Sequence, residues 1–129
     1  MVGTWSGSQT VLVAEDEEMV RKLVCSVLRS KGYTVLEAQD GITACQIEET
    51  HKGPIHLLIT DMVMPGLSGQ EVSKKVRSRR PGTRVLYISG YTEEALQGLG
   101  PMEDNAHFLS KPFAPDALAR KVKEILENF

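Results

Sequence analysis

Short apolar runs alternate with amphipathic stretches along most of the chain. The first run, Val11–Ala14, is continuously apolar and leads directly into acidic residues, as in a strand that is buried on both faces. Four later runs have a similar length and a similar apolar or β-branched character. They predict strands over Tyr33–Glu37, Ile55–Thr60, Arg84–Ile88 and Ala106–Leu109.

Helical patterns fill the intervals between these runs. The first helix is predicted over Glu17–Lys31, and Gly32 is well placed to end it. The last helix is predicted to begin at Pro115, a favourable residue for a first helical turn. The other helices are predicted over Gly41–Thr50, Gln70–Arg79 and Thr92–Leu99. The apolar stripes of the first and last helices are Val20, Leu23, Val24, Val27 and Leu28, and Leu118, Val122, Ile125 and Leu126.

This strict alternation predicts an α/β fold of five βα units, (βα)5, with a doubly wound parallel five-stranded sheet and helices on both faces. The 129 residues fit one such domain. Residues 1–9 are rich in Gly and Ser and are expected to be a flexible linker or a cloning remnant, which leaves 10–129 as the domain. In sheets of this kind, ligands bind at the carboxyl ends of the strands.

The composition is that of an ordinary globular protein, and it argues against several functional classes. The formal net charge is -2 and the basic residues are scattered, so we expect no nucleic-acid binding. No apolar run is long enough to span a bilayer, and Met1–Thr10 lacks the apolar segment of a signal peptide, so the cytoplasm is expected. Cys25 and Cys45 fall in predicted helices and are interpreted as free, buried or half-buried thiols.

Polar residues follow four of the five predicted strands. Glu15 and Asp16 follow the first strand, Asp61 the third, Ser89 the fourth and Lys111 the fifth. Because the carboxyl ends of parallel strands lie at one edge of the sheet, these side chains are expected to converge.

Three acids at one edge repel each other unless a cation joins them. Oxygen ligands favour a hard divalent ion, which predicts Mg²⁺, with Mn²⁺ as the other candidate. An Asp carboxylate beside Mg²⁺ and a lysine is a nucleophile suited to phosphoryl transfer, so Asp61 is the candidate nucleophile. Lys111 would offset charge on the transferred group, and the Ser89 hydroxyl would donate a hydrogen bond to it.

Each of these residues also has an ordinary structural interpretation. Asp16 or Glu17 would serve as a cap of the first helix, Ser89 as a turn residue and Lys111 as a solvated loop residue. It is their joint placement at strand ends that favours a site. Three histidines show no ligand spacing and are interpreted as structural: His51, His56 and His107.

Four segments carry a family resemblance. The stretches Val11–Glu17, Leu57–Gly69, Ile88–Tyr91 and Leu109–Phe113 resemble those of response regulator receiver domains, and the match runs from Thr10 to the end of the chain. The resemblance implies the flavodoxin-like strand order 2-1-3-4-5. It also implies a role in a two-component or phosphorelay system, in which Mg²⁺-dependent transfer moves a phosphoryl group from a phosphohistidine donor to the domain.

The same resemblance assigns roles at the metal site. It implies that Asp61 is the phosphoacceptor, that Asp16 is a direct metal ligand and that Glu15 is the outer acid of the pair. Asp61 and the backbone carbonyl of Val63 would complete the protein ligands of the ion.

The resemblance also implies a conformational switch. Ser89 and Lys111 would bind the phosphoryl oxygens, and Phe108 matches the aromatic position that changes rotamer when the serine moves. Phosphorylation would then alter the face formed by residues 92–109. A cis peptide bond is implied before Pro112.

The chain departs from the common receiver pattern at three positions. The first acid of the pair is Glu15 where Asp is commoner, Phe108 lacks the hydroxyl of the frequent Tyr, and Met62 stands where an aromatic is frequent. The segment Ser89–Glu93 and the long connection Gly98–Asn105 resemble receivers attached to hybrid sensor histidine kinases. A hybrid kinase is therefore the expected context, and a stand-alone response regulator is the alternative.

The resemblance implies a histidine kinase or a histidine-phosphotransfer domain as partner, and a monomer or weak dimer. The isolated domain is not expected to be an enzyme beyond its own phosphorylation and dephosphorylation. A haloacid-dehalogenase-like phosphatase would need a second acid where Val63 stands, and a flavodoxin-like cofactor binder would need a phosphate loop where Glu15–Glu18 stand. The complete residue set also argues against a degenerate receiver that acts only as a scaffold.

Overall fold

The computed structural model describes residues 9–90 and 106–127. The strands are β1 Thr10–Ala14, β2 Thr34–Ala38, β3 Leu57–Asp61, β4 Arg84–Ser89 and β5 His107–Ser110. The helices are α1 Glu18–Ser30, α2 Gly41–Thr50, α3 Gly69–Arg79 and α4 Pro115–Glu127. The helix predicted over Thr92–Leu99 and nearly all of the predicted lead-in, 1–9, lie outside the described residues.

All five strands are parallel and lie in the order β2-β1-β3-β4-β5. This confirms the doubly wound sheet and the 2-1-3-4-5 order. The register sets Ala14 beside Thr60 and Asp61 beside Ile88, so β1, β3 and β4 end at nearly the same level. The residues that follow these strands are therefore brought to one edge of the sheet.

The core consists of two apolar layers, one on each face of the sheet. Val11 and Val13 of β1 point into the layer that α1 and α4 cover, whereas Leu12 and Ala14 point into the layer that α2 and α3 cover. All four side chains are fully buried. The continuous apolar run at the start of the chain is thus a central strand with no solvent-facing side, as its pattern predicts.

The end of α1 agrees with its sequence signal, whereas one residue of its stripe does not. Gly32 has φ of 93°, and the N–H groups of Gly32 and Tyr33 donate to the carbonyls of Arg29 and Leu28, which is the Schellman arrangement. Leu23 belongs to the predicted apolar stripe but is 37% exposed. The buried side of α1 is narrower than the apolar stripe, because the helix contacts the sheet mainly through Val24, Cys25 and Leu28.

Several element bounds differ from the predicted ones by one or two residues. The third strand was predicted from Ile55 but begins at Leu57, and it extends through Asp61 itself. The two cysteines are free, with Cys25 buried and Cys45 half-buried, as predicted. Among the described residues, no helix has the length and apolarity needed to cross a membrane.

Candidate functional site

The three predicted acids lie together at the carboxyl edge of the sheet. β1 and β3 are neighbours, so Glu15 and Asp16 stand beside Asp61, and one carboxylate oxygen of each lies within 4.8 Å of the other two. Glu15 is fully buried, Asp61 is 6% exposed and Asp16 is exposed. Asp16 also lines a surface groove of about 420 Å³, between the start of α1 and the loops after β2 and β3, so this acid faces solvent.

Lys111 is the cation at the centre of this cluster. Its Nζ lies 2.9 Å from Glu15 Oε1, 2.9 Å from Asp61 Oδ2 and 2.6 Å from Glu17 Oε1. The backbone fixes its position, because the Lys111 N–H donates to the Ser89 carbonyl at 2.7 Å. The peptide bond from Lys111 to Pro112 is cis, as the resemblance implied.

The electrostatics of the cluster follow from burial and crowding. Burial raises the pKa of Glu15 from 4.5 to about 7, with a further rise from Asp61, although the Glu17 N–H and Lys111 act in the opposite direction. Burial acts to lower the pKa of Lys111, but hydrogen bonds to Glu17, Glu15 and Asp61 raise it above its ordinary value. One lysine therefore faces more carboxylates than it can neutralise, and a further cation would stabilise the ionised cluster.

The donor set fits a hard divalent cation. The three converging side chains offer only carboxylate oxygens, and no His or Cys belongs to the cluster found among the described residues. The Val63 N–H donates to Asp61 Oδ1 at 3.2 Å, which places the Val63 backbone beside the acids while its side chain is 53% exposed. Such a set of oxygens would suit Mg²⁺ or Mn²⁺.

A glycine allows α3 to begin directly under Asp61. The Gly69 N–H donates to the Met62 carbonyl at 3.0 Å, and a Cβ at Gly69 would overlap the Asp61 carbonyl oxygen. Ser68 accepts from the Glu71 N–H and its own N–H donates to the Glu71 side chain, which forms a complete capping box. The start of α3 thus supports the main chain that carries Asp61.

Ser89 and Phe108 lie on the β4–β5 side of the site. Ser89 is buried at the last position of β4, and its register partner on β5 is Ser110. Phe108 is half-buried and stacks on the fully buried Tyr87, with 5.6 Å between ring centroids and an interplanar angle of 27°. The paired strands β4 and β5 therefore link Ser89 to this aromatic pair. Residues 92–105 of the predicted switch face lie outside the described part of the chain.

Two residues of the site were missed by sequence reasoning. Glu17 was considered only as a cap of the first helix, but its side chain makes no cap hydrogen bond and instead contacts Lys111. Arg21 was not considered, although its Nη1 group donates to the Glu15 carbonyl at 3.0 Å. The acidic run Glu15–Glu18 signals a charged site, but the pattern alone does not show which of its members faces the lysine.

Comparison with known proteins extends the resemblance across the chain. The family model described as "Response regulator receiver domain" matches residues 11–123. The chain is 40% identical over 123 residues to the sensor kinase CckA of Brucella abortus, covering 95% of this chain and 13% of that protein. It is 30% identical over 116 residues to the response regulator receiver protein CpdR of the same organism, covering 90% of this chain and 95% of CpdR.

Solved structures agree with these sequence similarities. The crystal structure of the receiver domain from the hybrid histidine kinase CckA has a TM-score of 0.78 at 40% identity, with coverage of 91% of this chain and 98% of that chain. A high-resolution structure of the chemotaxis response regulator CheY4 of Vibrio cholerae has a TM-score of 0.81 at 28% identity, with coverage of 92% and 98%. The fold and its arrangement of strand ends are therefore shared with both.

Proposed function

Because the chain belongs to the response regulator receiver domains of two-component systems, we propose that Asp61 is its phosphoacceptor and that Lys111 and Ser89 bind the transferred phosphoryl group. The observation that carries this proposal is the convergence of the Glu15, Asp16 and Asp61 carboxylates, with the Nζ of Lys111 2.9 Å from both Glu15 and Asp61. Receiver domains as a class take phosphoryl groups from histidine kinases or phosphotransfer proteins. The assignment of these roles to Asp61, Lys111 and Ser89 is our proposal for this chain.

The reaction is an in-line transfer to a carboxylate. A bond forms between an Asp61 carboxylate oxygen and phosphorus, the bond from phosphorus to the imidazole nitrogen of the donor breaks, and the electron pair leaves with that nitrogen. Asp61 is held for this step by the Val63 N–H on Oδ1 and by Lys111 on Oδ2. Lys111 and the Ser89 hydroxyl then face the negative charge on the equatorial oxygens.

Receiver domains bind Mg²⁺ at an acidic pocket. In this chain we assign the ligands to the side chains of Asp16 and Asp61 and to the Val63 carbonyl, with Glu15 as the outer acid. The ion would supply positive charge for the transferred oxygens and relieve the repulsion that raises the pKa of Glu15. Ser89 would move toward the phosphoryl group, and Phe108 would change its rotamer on the 92–109 face.

A hybrid histidine kinase is the context that we propose for the domain. The support is the 40% identity to a part of CckA and to the crystallised CckA receiver. The alternative is a stand-alone regulator, which is supported by the match to nearly all of CpdR. In either context the expected partner is a histidine kinase or a histidine-phosphotransfer domain, the expected location is the cytoplasm, and the expected state is a monomer or weak dimer.

Phosphorylation by a small donor tests the assignment directly. Acetyl phosphate with Mg²⁺ should add one phosphoryl group, measured by intact mass, and excess EDTA should prevent the reaction. Asp61→Asn should abolish it, whereas Asp116→Asn, which removes an exposed acid in the first turn of α4, should leave it unchanged. Full modification of the Asp61→Asn protein would show that the acceptor is another residue.

The context is tested by phosphotransfer from a protein donor. A purified phosphotransfer domain that carries phosphohistidine should lose its phosphoryl group to the wild-type domain within minutes and keep it in the presence of Asp61→Asn. The coding sequence around this segment separates the two contexts, because a kinase core in the same reading frame is expected only for the hybrid kinase.

A further inference from the structure

A half-buried ion pair between α1 and β2 lies next to the acid pair Glu15–Asp16. The guanidinium of Arg21 on α1 contacts Glu37 of β2, with Nε 2.9 Å from Glu37 Oε2. Its side chain is only 11% exposed, although arginine is usually a surface residue. The same guanidinium donates from Nη1 to the Glu15 carbonyl oxygen at 3.0 Å. Arg21 thus joins β2, at the edge of the sheet, to the backbone of Glu15 in the loop after β1.

Arg21 contacts the peptide unit that joins the two acids Glu15 and Asp16. The Glu15 carbonyl belongs to the peptide plane that also contains the Asp16 nitrogen. Rotation of this plane changes ψ of Glu15 and φ of Asp16, and therefore moves the carboxylates of both. The preceding peptide is fixed as well, because the Glu15 N–H donates to the Ala38 carbonyl at 3.2 Å. With Arg21 in place, Glu15 is anchored to the β2 edge through both of its backbone groups.

The ion pair between Arg21 and Glu37 is charged and has a defined geometry. Hydrogen bonding to Arg21 holds the pKa of Glu37 below its ordinary value, so Glu37 is ionised at neutral pH. The planar guanidinium presents several N–H groups in a fixed fork, so one side chain can hold a carboxylate and a carbonyl together. A lysine at this position has a single ammonium group and no such fork.

We propose that Arg21 is a positioning residue for the Mg²⁺ site, in which the Arg21–Glu37 pair fixes the Glu15–Asp16 peptide so that both acids face Asp61. This inference rests on the proposed function, since it assumes that these acids bind the ion. Arg21 does not contact the metal or the phosphoryl group. Its effect passes through the peptide plane that it holds.

The direction in which Mg²⁺ affinity changes when Arg21 is replaced separates a positioning role from a purely electrostatic one. A cation near the acid pair repels Mg²⁺, so removal of its charge alone would strengthen metal binding. Loss of a positioning contact has the opposite result, because Mg²⁺ demands nearly ideal octahedral geometry and tolerates misplaced ligands poorly. Removal of Arg21 is therefore expected to weaken Mg²⁺ binding although it makes the site more negative.

Calorimetric titration with Mg²⁺ tests this inference. Arg21→Met should weaken Mg²⁺ binding about tenfold, the lower end of the usual effect of losing an outer-shell contact. Arg21→Lys, which keeps the charge but loses the fork, should be weakened by a smaller factor. The matched control is Arg29→Met, because Arg29 lies on the same helix and contacts Glu37 at 3.6 Å, and no contact joins it to Glu15 in the described structure. The control should stay within about twofold of wild type.

A second ion distinguishes positioning from a general loss of structure. Ca²⁺ accepts variable coordination, so its binding should fall less than Mg²⁺ binding in Arg21→Met. If Arg21→Met does not fold, Glu37→Gln removes the charged partner of Arg21 instead. Loss of this negative charge alone would weaken Mg²⁺ and Ca²⁺ binding equally, so the expected result for this variant is a larger loss for Mg²⁺ than for Ca²⁺. Unchanged or tighter Mg²⁺ binding in the folded variants, or an equal loss for both ions, would overturn the inference. Failure of the wild type to bind Mg²⁺ would refute the proposed metal site itself.

Discussion

At the scale of single residues, we expect the lifetime of a phosphoryl group on Asp61 to depend on the side chain of Val63. Its backbone N–H donates to Asp61 Oδ1, and its side chain is 53% exposed beside that carboxylate. Water that hydrolyses an acyl phosphate on Asp61 must approach in line with the breaking bond. Val63 has no polar group that could orient this water or accept its proton, so the attacking water receives no help from this position.

Val63→Asn should therefore accelerate phosphate loss. An amide at this position can accept from and donate to the attacking water, and a tenfold increase in rate needs a barrier only ~1.4 kcal/mol lower. The measurement is a time course of phosphate release from purified phosphoprotein. Val63→Leu is the matched control and should retain the wild-type rate. Equal rates for Val63→Asn and wild type would show that this side chain does not control the attacking water.

The sequence identifies the principal residues of the site but not their supporting contacts. Asp61 and Lys111 could be predicted because Asp61 ends β3 and Lys111 directly follows β5, and parallel strands bring their carboxyl ends to one edge. The role of Glu17 depends on a rotamer that reaches across the site to Lys111. The role of Arg21 depends on how far α1 lies from β2. Such contacts between distant elements leave no periodic signal in the chain.

At the scale of secondary-structure elements, the start of α3 depends on a close approach of two backbones. A Cβ at Gly69 would overlap the Asp61 carbonyl oxygen. Gly69→Ala must therefore shift either α3 or the end of β3, which should lower the free energy of unfolding by about 2 kcal/mol. Gly82→Ala is the control, since a Cβ there would meet nothing within 4 Å.

Chemical denaturation of the two glycine variants gives this comparison. Gly82→Ala should leave stability unchanged or raise it by about 0.5 kcal/mol, because alanine restricts the unfolded chain. Gly69→Ala should also slow phosphorylation by acetyl phosphate, since the shifted backbone carries Asp61. A Gly69→Ala protein as stable and as reactive as wild type would mean that α3 relaxes without disturbing the site.

The start of α2 gives the fold a defined dependence on pH. Asp40 Oδ1 accepts from the Thr43 N–H at 2.7 Å, and this hydrogen bond lowers the pKa of Asp40 from its ordinary value of 3.8. A group whose pKa is lower in the folded state stabilises the fold above its unfolded pKa. That contribution is lost as the pH falls from about 4 through the folded pKa.

Asp40→Ala should therefore reduce the free energy of unfolding by about 1 kcal/mol at pH 7, the usual value of a helix N-cap. The difference from wild type should shrink below pH 4, where Asp40 becomes protonated. Asp40→Asn keeps an uncharged cap and should lie close to wild type at pH 7. Urea unfolding at several pH values measures these differences. A constant gap between Asp40→Ala and wild type from pH 7 to pH 3 would contradict the role of the charged carboxylate.

Most helices and strands could be predicted, because the apolar pattern of each segment reflects which of its faces are buried. Val11–Ala14 is continuously apolar since β1 is covered on both faces. The sequence does not show which residues of an apolar stripe will stay exposed. Leu23 is exposed because the buried face of α1 is narrower than its apolar stripe and centres on Val24, Cys25 and Leu28. Strand bounds depend on pairing partners, so β3 begins at Leu57, where its register with β1 and β4 begins, rather than at Ile55.

At the scale of the whole molecule, the sheet connects the candidate site to the aromatic pair of Tyr87 and Phe108. β4 ends at Ser89, two residues after Tyr87, and Tyr87 stacks on Phe108 of β5. Because Ser89 and Tyr87 share a strand, a shift of the serine toward a phosphoryl group alters the support of the aromatic pair. We therefore expect phosphorylation to shift the balance between two conformations of an intact fold.

Removal of the Ser89 hydroxyl should separate phosphorylation from this response. The three phenylalanines can be labelled with fluorine, and Phe108→Leu assigns the Phe108 signal in the fluorine spectrum. In the wild type, phosphorylation should move that signal. In Ser89→Ala, Asp61 should still be modified, about tenfold more slowly because one donor to the phosphoryl oxygens is lost. The Phe108 signal should then stay at its unphosphorylated position. Ser110→Ala, at the exposed partner position on β5, should keep the full response. A normal Phe108 shift in fully phosphorylated Ser89→Ala would show that the signal reaches β5 by another route.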